Sequence, residues 1–305
     1  MIAQIDELVK LEKAVIQTFN WPVKPTQEIL LDVLRLDKIH ATISGNKWFK
    51  LKYSLQAALM EHRTRIVTVG GAYSNYIVAT ACACKSLGFL STGIIRAEEP
   101  AHLSCTLLEA RKFGMELEFV SRSAFKNKPA LYENIKTRFN DSFLIEEGGS
   151  NELGIKGIAE IFHLLPANKY DYICCAVGTG TMLAGLVAAS EREQEVIGIC
   201  SLKINKAESE LQKFISERAT KNNYQIFYDY HFGGYAKFTK ELINFMNNFF
   251  IQTSIPTDFV YTAKLFYGIL DLLKNGFFKP GARVLLIHSG GLQGNCSLPA
   301  GSLLF

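Results

Sequence analysis

The chain has 305 residues, 48% of them hydrophobic and 20% charged, with a formal net charge of +4. That balance belongs to globular proteins, and the length suffices for one large domain or two of ordinary size. It excludes a nucleic-acid stripe, because Lys203, Lys206 and Lys213 are interleaved with acidic and apolar residues, and no apolar run is long enough to span a bilayer. The opening residues Met1-Ile2-Ala3-Gln4-Ile5-Asp6-Glu7 lack the basic stretch and apolar core of a signal peptide. Seven dispersed cysteines, an odd number, are expected as free thiols in a reducing cytoplasm. Cys82 and Cys84, and the adjacent Cys174 and Cys175, have no second pair at zinc-ribbon spacing, so no metal site is expected.

In chain order, the first signal is Ile43-Ser44-Gly45-Asn46-Lys47-Trp48-Phe49-Lys50-Leu51, a Gly-Asn turn that delivers Lys47 to the first turn of a helix, with Asn46 as candidate cap. Strand and helix patterns then alternate: strand 65–69, helix 74–87, strand 90–95, helix 103–113, strand 116–120, helix 129–139, strand 143–146, helix 154–165, strand 172–177, helix 182–189 and strand 196–201. Helices at 206–219, 237–250 and 264–275 follow, and the last strand is 283–288. Runs such as Val284-Leu285-Leu286-Ile287 are apolar on both faces, which suits a parallel sheet covered by helices on each side. The alternation predicts an α/β fold with right-handed crossovers.

Two glycine-rich turns sit where a strand gives way to a helix. Gly70-Gly71-Ala72-Tyr73-Ser74-Asn75-Tyr76 can turn tightly and point backbone N–H groups at an anion, and Ser74 is a candidate helix cap. Gly178-Thr179-Gly180-Thr181-Met182-Leu183 nearly reads as a dinucleotide fingerprint, but Leu183 stands at the third glycine, and the next strand ends in Cys200 and Ser201 rather than an acid. A monophosphate needs only the N–H groups and a hydroxyl or two. No Gly-x-x-x-x-Gly-Lys-Ser/Thr is present, which argues against a nucleotide-binding module. Two later segments, Val260-Tyr261-Thr262-Ala263-Lys264 and Ile287-His288-Ser289-Gly290-Gly291, complete the set.

Together these segments resemble the pyridoxal-phosphate (PLP) enzymes of fold type II, the tryptophan synthase β family, and within it the branch of 1-aminocyclopropane-1-carboxylate (ACC) deaminase and D-cysteine desulfhydrase. The resemblance covers the chain from about Leu30 to the Leu292 region. It implies two open, twisted, mainly parallel sheets covered by helices, with PLP in the interdomain cleft. A small α/β domain of residues 51–160 would be inserted in a larger PLP-binding domain of residues 1–50 and 161–305.

Gly-Asn-Lys-x-x-Lys-Leu is the family's cofactor-lysine pattern, so the resemblance places PLP on Lys47 and lets Lys50, one turn on, reach the phosphate. The phosphate cup would be Gly178, Thr179, Gly180, Thr181, Met182 and Leu183. The 70–76 loop would bind the substrate carboxylate, with Ser74 in proton transfer, Asn75 on cofactor and substrate, and Tyr76 where ACC deaminases carry glutamine. Tyr261 would stack near the pyridine ring beside the substrate as a catalytic group. Ser289 would face the pyridine nitrogen, as in desulfhydrase-like members, and Thr262 stands where ACC deaminases have a glutamate paired with that nitrogen.

A neutral hydroxyl there makes a weaker electron sink than a carboxylate. This favours β-elimination from D-cysteine, giving pyruvate, ammonia and sulfide, over the ring opening of ACC to 2-oxobutyrate and ammonia. Elimination or racemisation on another small amino acid, and a non-catalytic PLP-binding protein, are the remaining alternatives. The segment 227–238 is shorter than the family's loop near the active site. The expected partners are a small amino-acid substrate and a second copy in a homodimer, with no nucleic acid and no membrane.

Overall fold

The computed structural model describes residues 2–21, 28–98, 102–167, 169–204, 210–219 and 221–305. Among them the strands form two sheets. The larger has the order β1 (Ile16–Thr18), β2 (Leu30–Arg35), β10 (Arg283–His288), β7 (Tyr172–Val177), β8 (Glu195–Cys200), β9 (Tyr224–Phe227). Its neighbours are parallel except β1, which is antiparallel to β2. The smaller sheet, all parallel, has the order β5 (Glu116–Val120), β4 (Leu90–Arg96), β3 (Arg65–Gly71), β6 (Ser142–Ile145). Its register sets Gly71 opposite Arg96, which brings two loop-bearing strand ends together at one edge.

Helices cover both sheets. α1 (Ile2–Asp6) leans on α2 (Asn46–Met60), and α7 (Glu152–Ala159) packs between α2 and α8 (Thr181–Ala189). This layer and the sheet faces beneath it share one apolar core, which runs from Leu34 and Ile173 of the larger sheet to Ile66 and Ile145 of the smaller. Gly157 is what lets α7 lie so close, because a Cβ there would stand 1.7 Å from the Phe49 carbonyl oxygen. The opposite face of the larger sheet packs on α10 (Lys240–Thr253) and α11 (Thr262–Lys274) through Phe249, Phe266 and Ile269. α3 (Asn75–Leu87) and α4 (Cys105–Lys112) cover one face of the smaller sheet, with α5 (Arg122–Lys126) and α6 (Lys128–Arg138) on the other. α9 (Glu210–Arg218) lies by α8. No helix among the described residues is long and apolar enough to cross a membrane.

Several elements differ from the sequence expectation. β2 was hidden by Asp32, a fully buried carboxylate that interrupts the apolar run and is held by the Tyr170 hydroxyl (2.7 Å) and Lys169 Nζ (2.9 Å). β1 and β9 are too short to carry a period. α10 begins at Lys240 rather than residue 237, because the Thr239 side chain accepts the Leu242 N–H and caps it there. α7 ends at Ala159 and tightens into a 3₁₀ turn, Glu160–Leu164. Residues 205–209 of the expected 206–219 helix lie outside the described residues.

The expectation of free thiols throughout is also corrected. Cys105 and Cys296 form a disulfide across 191 residues of sequence, because α4 packs against the 3₁₀ helix Leu292–Ser297. Such a pairing is set by tertiary packing and has no spacing signature. Cys82, Cys84, Cys174, Cys175 and Cys200 are free and buried.

Candidate active site

Lys47 is delivered by strain that only glycine tolerates. Gly45 has φ +65, and a Cβ on it would lie 1.9 Å from the Ser289 carbonyl oxygen. The turn is fixed by the Gly45 N–H on the Leu36 carbonyl (2.9 Å) and the Asn46 N–H on the Ser289 carbonyl (3.3 Å). Gly45, not Asn46, is the helix cap, and Asn46 turns its Nδ2 toward Met182 Sδ at 3.2 Å. Lys47 is 7% exposed, and its Nζ donates to the Ser289 carbonyl at 3.0 Å. Burial brings its pKa down to about 8, with the Asp258 carboxylate pulling the other way. Lys50 is buried one turn on, and burial with the neighbouring Lys47 charge brings it down to about 7. An amine that sheds its proton near neutrality is a usable nucleophile and base.

Lys47 and Lys50 open onto an inner cavity at the junction of the two sheets. The larger sheet supplies Gly178, Thr179, Gly180, Met182 and Leu183 to its wall. Gly180 has φ +90, which turns the chain into α8. Thr181 is fully buried behind the wall and meets the Thr179 hydroxyl at 3.0 Å. Ser289 lines the cavity at the end of β10.

The smaller sheet supplies Asn75 and Tyr76 at the start of α3. Asn75 Nδ2 donates to the Gly291 carbonyl at 3.3 Å. Ser74 precedes them, half-buried, without a capping bond and off the lining of the inner cavity. No His, Cys, Asp and Glu cluster among the described residues could hold a metal ion.

Tyr261 lies against Gly178, with its ring centroid 5.9 Å from Lys47 Nζ. Thr262 is not turned to the cavity. It is fully buried, its hydroxyl donating to Asp258 Oδ2 at 2.6 Å. Asp258 also accepts the Val260, Tyr261 and Thr262 N–H groups at 3.0, 2.8 and 2.9 Å, so it fixes the turn that enters α11 and sets Tyr261, the N-cap residue. Sequence reasoning missed this residue, although an aspartate shortly before an apolar helix is a turn signal.

It also missed the placement of Tyr235, whose ring lies 6.1 Å from that of Tyr261 and lines the same cavity. Its loop is tied down by the fully buried Lys264, whose Nζ donates to the Gly234 carbonyl at 2.7 Å. Burial pushes the Tyr235 hydroxyl up to about 12 and that of Tyr261 well above its usual range, so both stay protonated at neutral pH.

Residues 33–290 match the family model of pyridoxal-phosphate dependent enzymes. The chain belongs to that family. It is 32% identical over 284 residues to a Pyrococcus furiosus protein provisionally named 1-aminocyclopropane-1-carboxylate deaminase, covering 86% of this chain and 84% of that one. It is 28% identical over 310 residues to the mitochondrial bifunctional D-cysteine desulfhydrase/ACC deaminase of Arabidopsis thaliana, covering 92% and 76%. Among solved structures, an ACC deaminase homologue superposes with a TM-score of 0.79 at 27% identity, covering 96% of this chain and 95% of that one.

The protein is thus a PLP-dependent enzyme of the ACC deaminase/D-cysteine desulfhydrase family, with the α/β fold of its relatives. Its residues fit the cofactor. Two buried lysines and a glycine loop at a helix start line one cavity. In the same lining, Asn46 Oδ1, Asn75 Oδ1 and the Tyr76 hydroxyl are buried polar atoms without a hydrogen-bond partner among the described residues.

Proposed function

We propose that this enzyme is a D-cysteine desulfhydrase-like lyase that eliminates the β-substituent of a small amino acid. Lys47 would hold the cofactor aldehyde, residues 178–183 with Lys50 its phosphate, and Asn75 and Ser289 its ring. Bound PLP supplies an electron sink for the pair left at the substrate α-carbon. The observation that carries the reading is that no carboxylate among the described residues lines the inner cavity. The nearby Asp258 accepts hydrogen bonds from the Thr262 hydroxyl and three backbone N–H groups. Ser289 offers a hydroxyl, which does not hold a pyridine nitrogen protonated as a carboxylate does. A reaction whose leaving group takes the electron pair asks least of such a sink.

Lys47 Nζ takes the α-proton, Tyr261 and Tyr235 enclose the substrate as neutral hydroxyls, and Asn75 and Tyr76 flank the carboxylate end, with Ser74 behind them off the cavity wall. Thiolate leaves from the β-carbon. The released enamine hydrolyses to pyruvate and ammonia. A cytoplasmic homodimer belongs to the same reading by family analogy, and light scattering on the purified protein reports the oligomeric state.

The name of the Pyrococcus relative favours a second reading, ACC deamination, while that of the Arabidopsis relative carries both activities. The PLP-loaded protein is incubated separately with D-cysteine, L-cysteine and ACC, and sulfide and keto acid are measured. Pyruvate with sulfide from D-cysteine is expected. 2-Oxobutyrate from ACC with no turnover of cysteine would replace the first reading by the second.

A further inference from the structure

Past Gly178, Thr179, Tyr235 and Tyr261 the inner cavity adjoins a second one of about 760 Å³. That is a size that accommodates drug-like ligands, far more than a three-carbon amino acid occupies. Its cationic members include Arg96 and Lys128. Arg96 ends β4 directly beside Gly71, and its Nη2 lies 3.6 Å from where a Cβ on Gly71 would stand. The guanidinium sits over the Phe125 ring at 5.3 Å, with Lys128 Nζ over the same ring at 3.3 Å.

Lys128 is paired with Glu147 at 2.6 Å, whereas the Arg96 side chain, exposed at the end of β4, makes no ion pair or hydrogen bond among the described residues and stacks on Phe125. The second cavity also holds Arg218, which pairs with Glu152 and Glu217, and the carboxylates Glu146, Glu147 and Glu210. The groove continuing outward adds Arg122, Lys126 and Lys237 against Glu98. The approach to the site therefore mixes both signs with cations in excess, and beyond the inner cavity Arg96 is a cation at its mouth that no carboxylate pairs among the described residues.

We propose that Arg96 is a specificity-determining residue that binds an anionic group at the far end of the substrate's β-substituent. The enzyme then prefers amino acids whose side chain carries a distal carboxylate or comparable anion over uncharged ones of the same size. This rests on the elimination reading above. The α-carboxylate is the weaker assignment for Arg96, because that group is one bond from the carbon presented to Lys47. Lys47 and Asn75 line the inner cavity, and Arg96 does not. In the reaction the Cβ–S bond breaks with its electron pair on sulfur, the α-proton goes to Lys47 Nζ, and the anionic group departs on the thiolate.

The test compares S-carboxymethylcysteine with its neutral isostere S-carbamoylmethylcysteine, each as both enantiomers, on the PLP-loaded enzyme. Pyruvate formation gives a kcat/KM ratio. The ratio is expected to favour the carboxymethyl compound by about tenfold or more, to fall with added salt, to collapse toward one in Arg96→Gln and to recover partly in Arg96→Lys. A wild-type ratio near one overturns the proposal. So does an Arg96→Gln variant that slows both compounds and cysteine alike, since that places Arg96 on the α-carboxylate. If no compound is eliminated, the elimination reading fails by itself. The cofactor absorbance, titrated with the same two compounds, then reads the binding ratio, and a charge preference lost in Arg96→Gln upholds the site while its absence overturns it.

Discussion

The two walls of the site are built on different principles. On the larger-sheet side, Gly45 lies against the Ser289 carbonyl and the 178–183 loop runs into a buried helix, so backbone and glycine define the surface. On the smaller-sheet side, Asn75 and Tyr76 line the inner cavity, Gly71 and Arg96 stand at strand ends, and α6 buries only Leu131 and Ile135, so side chains define it. A backbone wall suits a group that is always the same, whereas a side-chain wall can distinguish one substrate from another. The comparison breaks if the two walls respond alike to mutation.

The largest effect is expected from Lys47→Ala. The visible-edge absorbance of covalently held PLP should vanish and turnover should fall by about a thousandfold or more. Covalent cofactor persisting in that variant would sink the assignment of Lys47.

Next come two matched glycines. Gly45→Ala forces a Cβ into the Ser289 carbonyl at positive φ and should cost about 3 kcal/mol or more, read as a drop in the denaturation midpoint. Gly71→Ala meets only the flexible Arg96 guanidinium at 3.6 Å, an ordinary contact, and should cost under about 1 kcal/mol. Equal losses would erase the distinction between the walls.

The smallest effect is a pH dependence. In the folded, cofactor-free chain Lys47 and Lys50 titrate near about 8 and about 7, against the ordinary 10.5. Between those values the unfolded chain holds more protons, so stability rises from pH 7 to 9, by at most about 1.4 kcal/mol per unit for each lysine. Below pH 7 both states approach full protonation and the slope levels. Above pH 9 the buried thiols, with raised pKa values, reverse the sign, as the unfolded chain loses their protons first. The Tm of the cofactor-free protein against pH checks this, and Lys50→Met should flatten the rise. An unchanged slope in that variant would separate the effect from Lys50.

The same contrast explains what could be read from the chain. Glycines at helix starts have few physical uses, so the Gly-Asn turn of 45–50 and the strand-to-helix turns of 70–76 and 178–183 were legible. Period-2 and period-3.6 patterns located the longer elements. Asp32 hid β2 because a satisfied buried carboxylate looks like a solvent-facing one in sequence. Thr262 was read by its place after Tyr261, but its hydroxyl belongs to Asp258, a local side-chain hydrogen bond that overrides position. Arg96 gave no signal, since one arginine at a strand end is ordinary until the register sets it beside Gly71. Tyr235 was visible only as part of a short loop, and the buried ammonium that anchors that loop is a contact 30 residues away.

The Cys105–Cys296 bond turns most of the polypeptide into a covalent ring. The 178–183 loop, Tyr235, Tyr261 and Ser289 lie within its circuit, while Lys47, Asn75 and Arg96 lie on the tail that leads into it. A protease cut anywhere between the two cysteines therefore opens the ring without dividing the molecule, and the two pieces stay covalently joined until the bond is reduced.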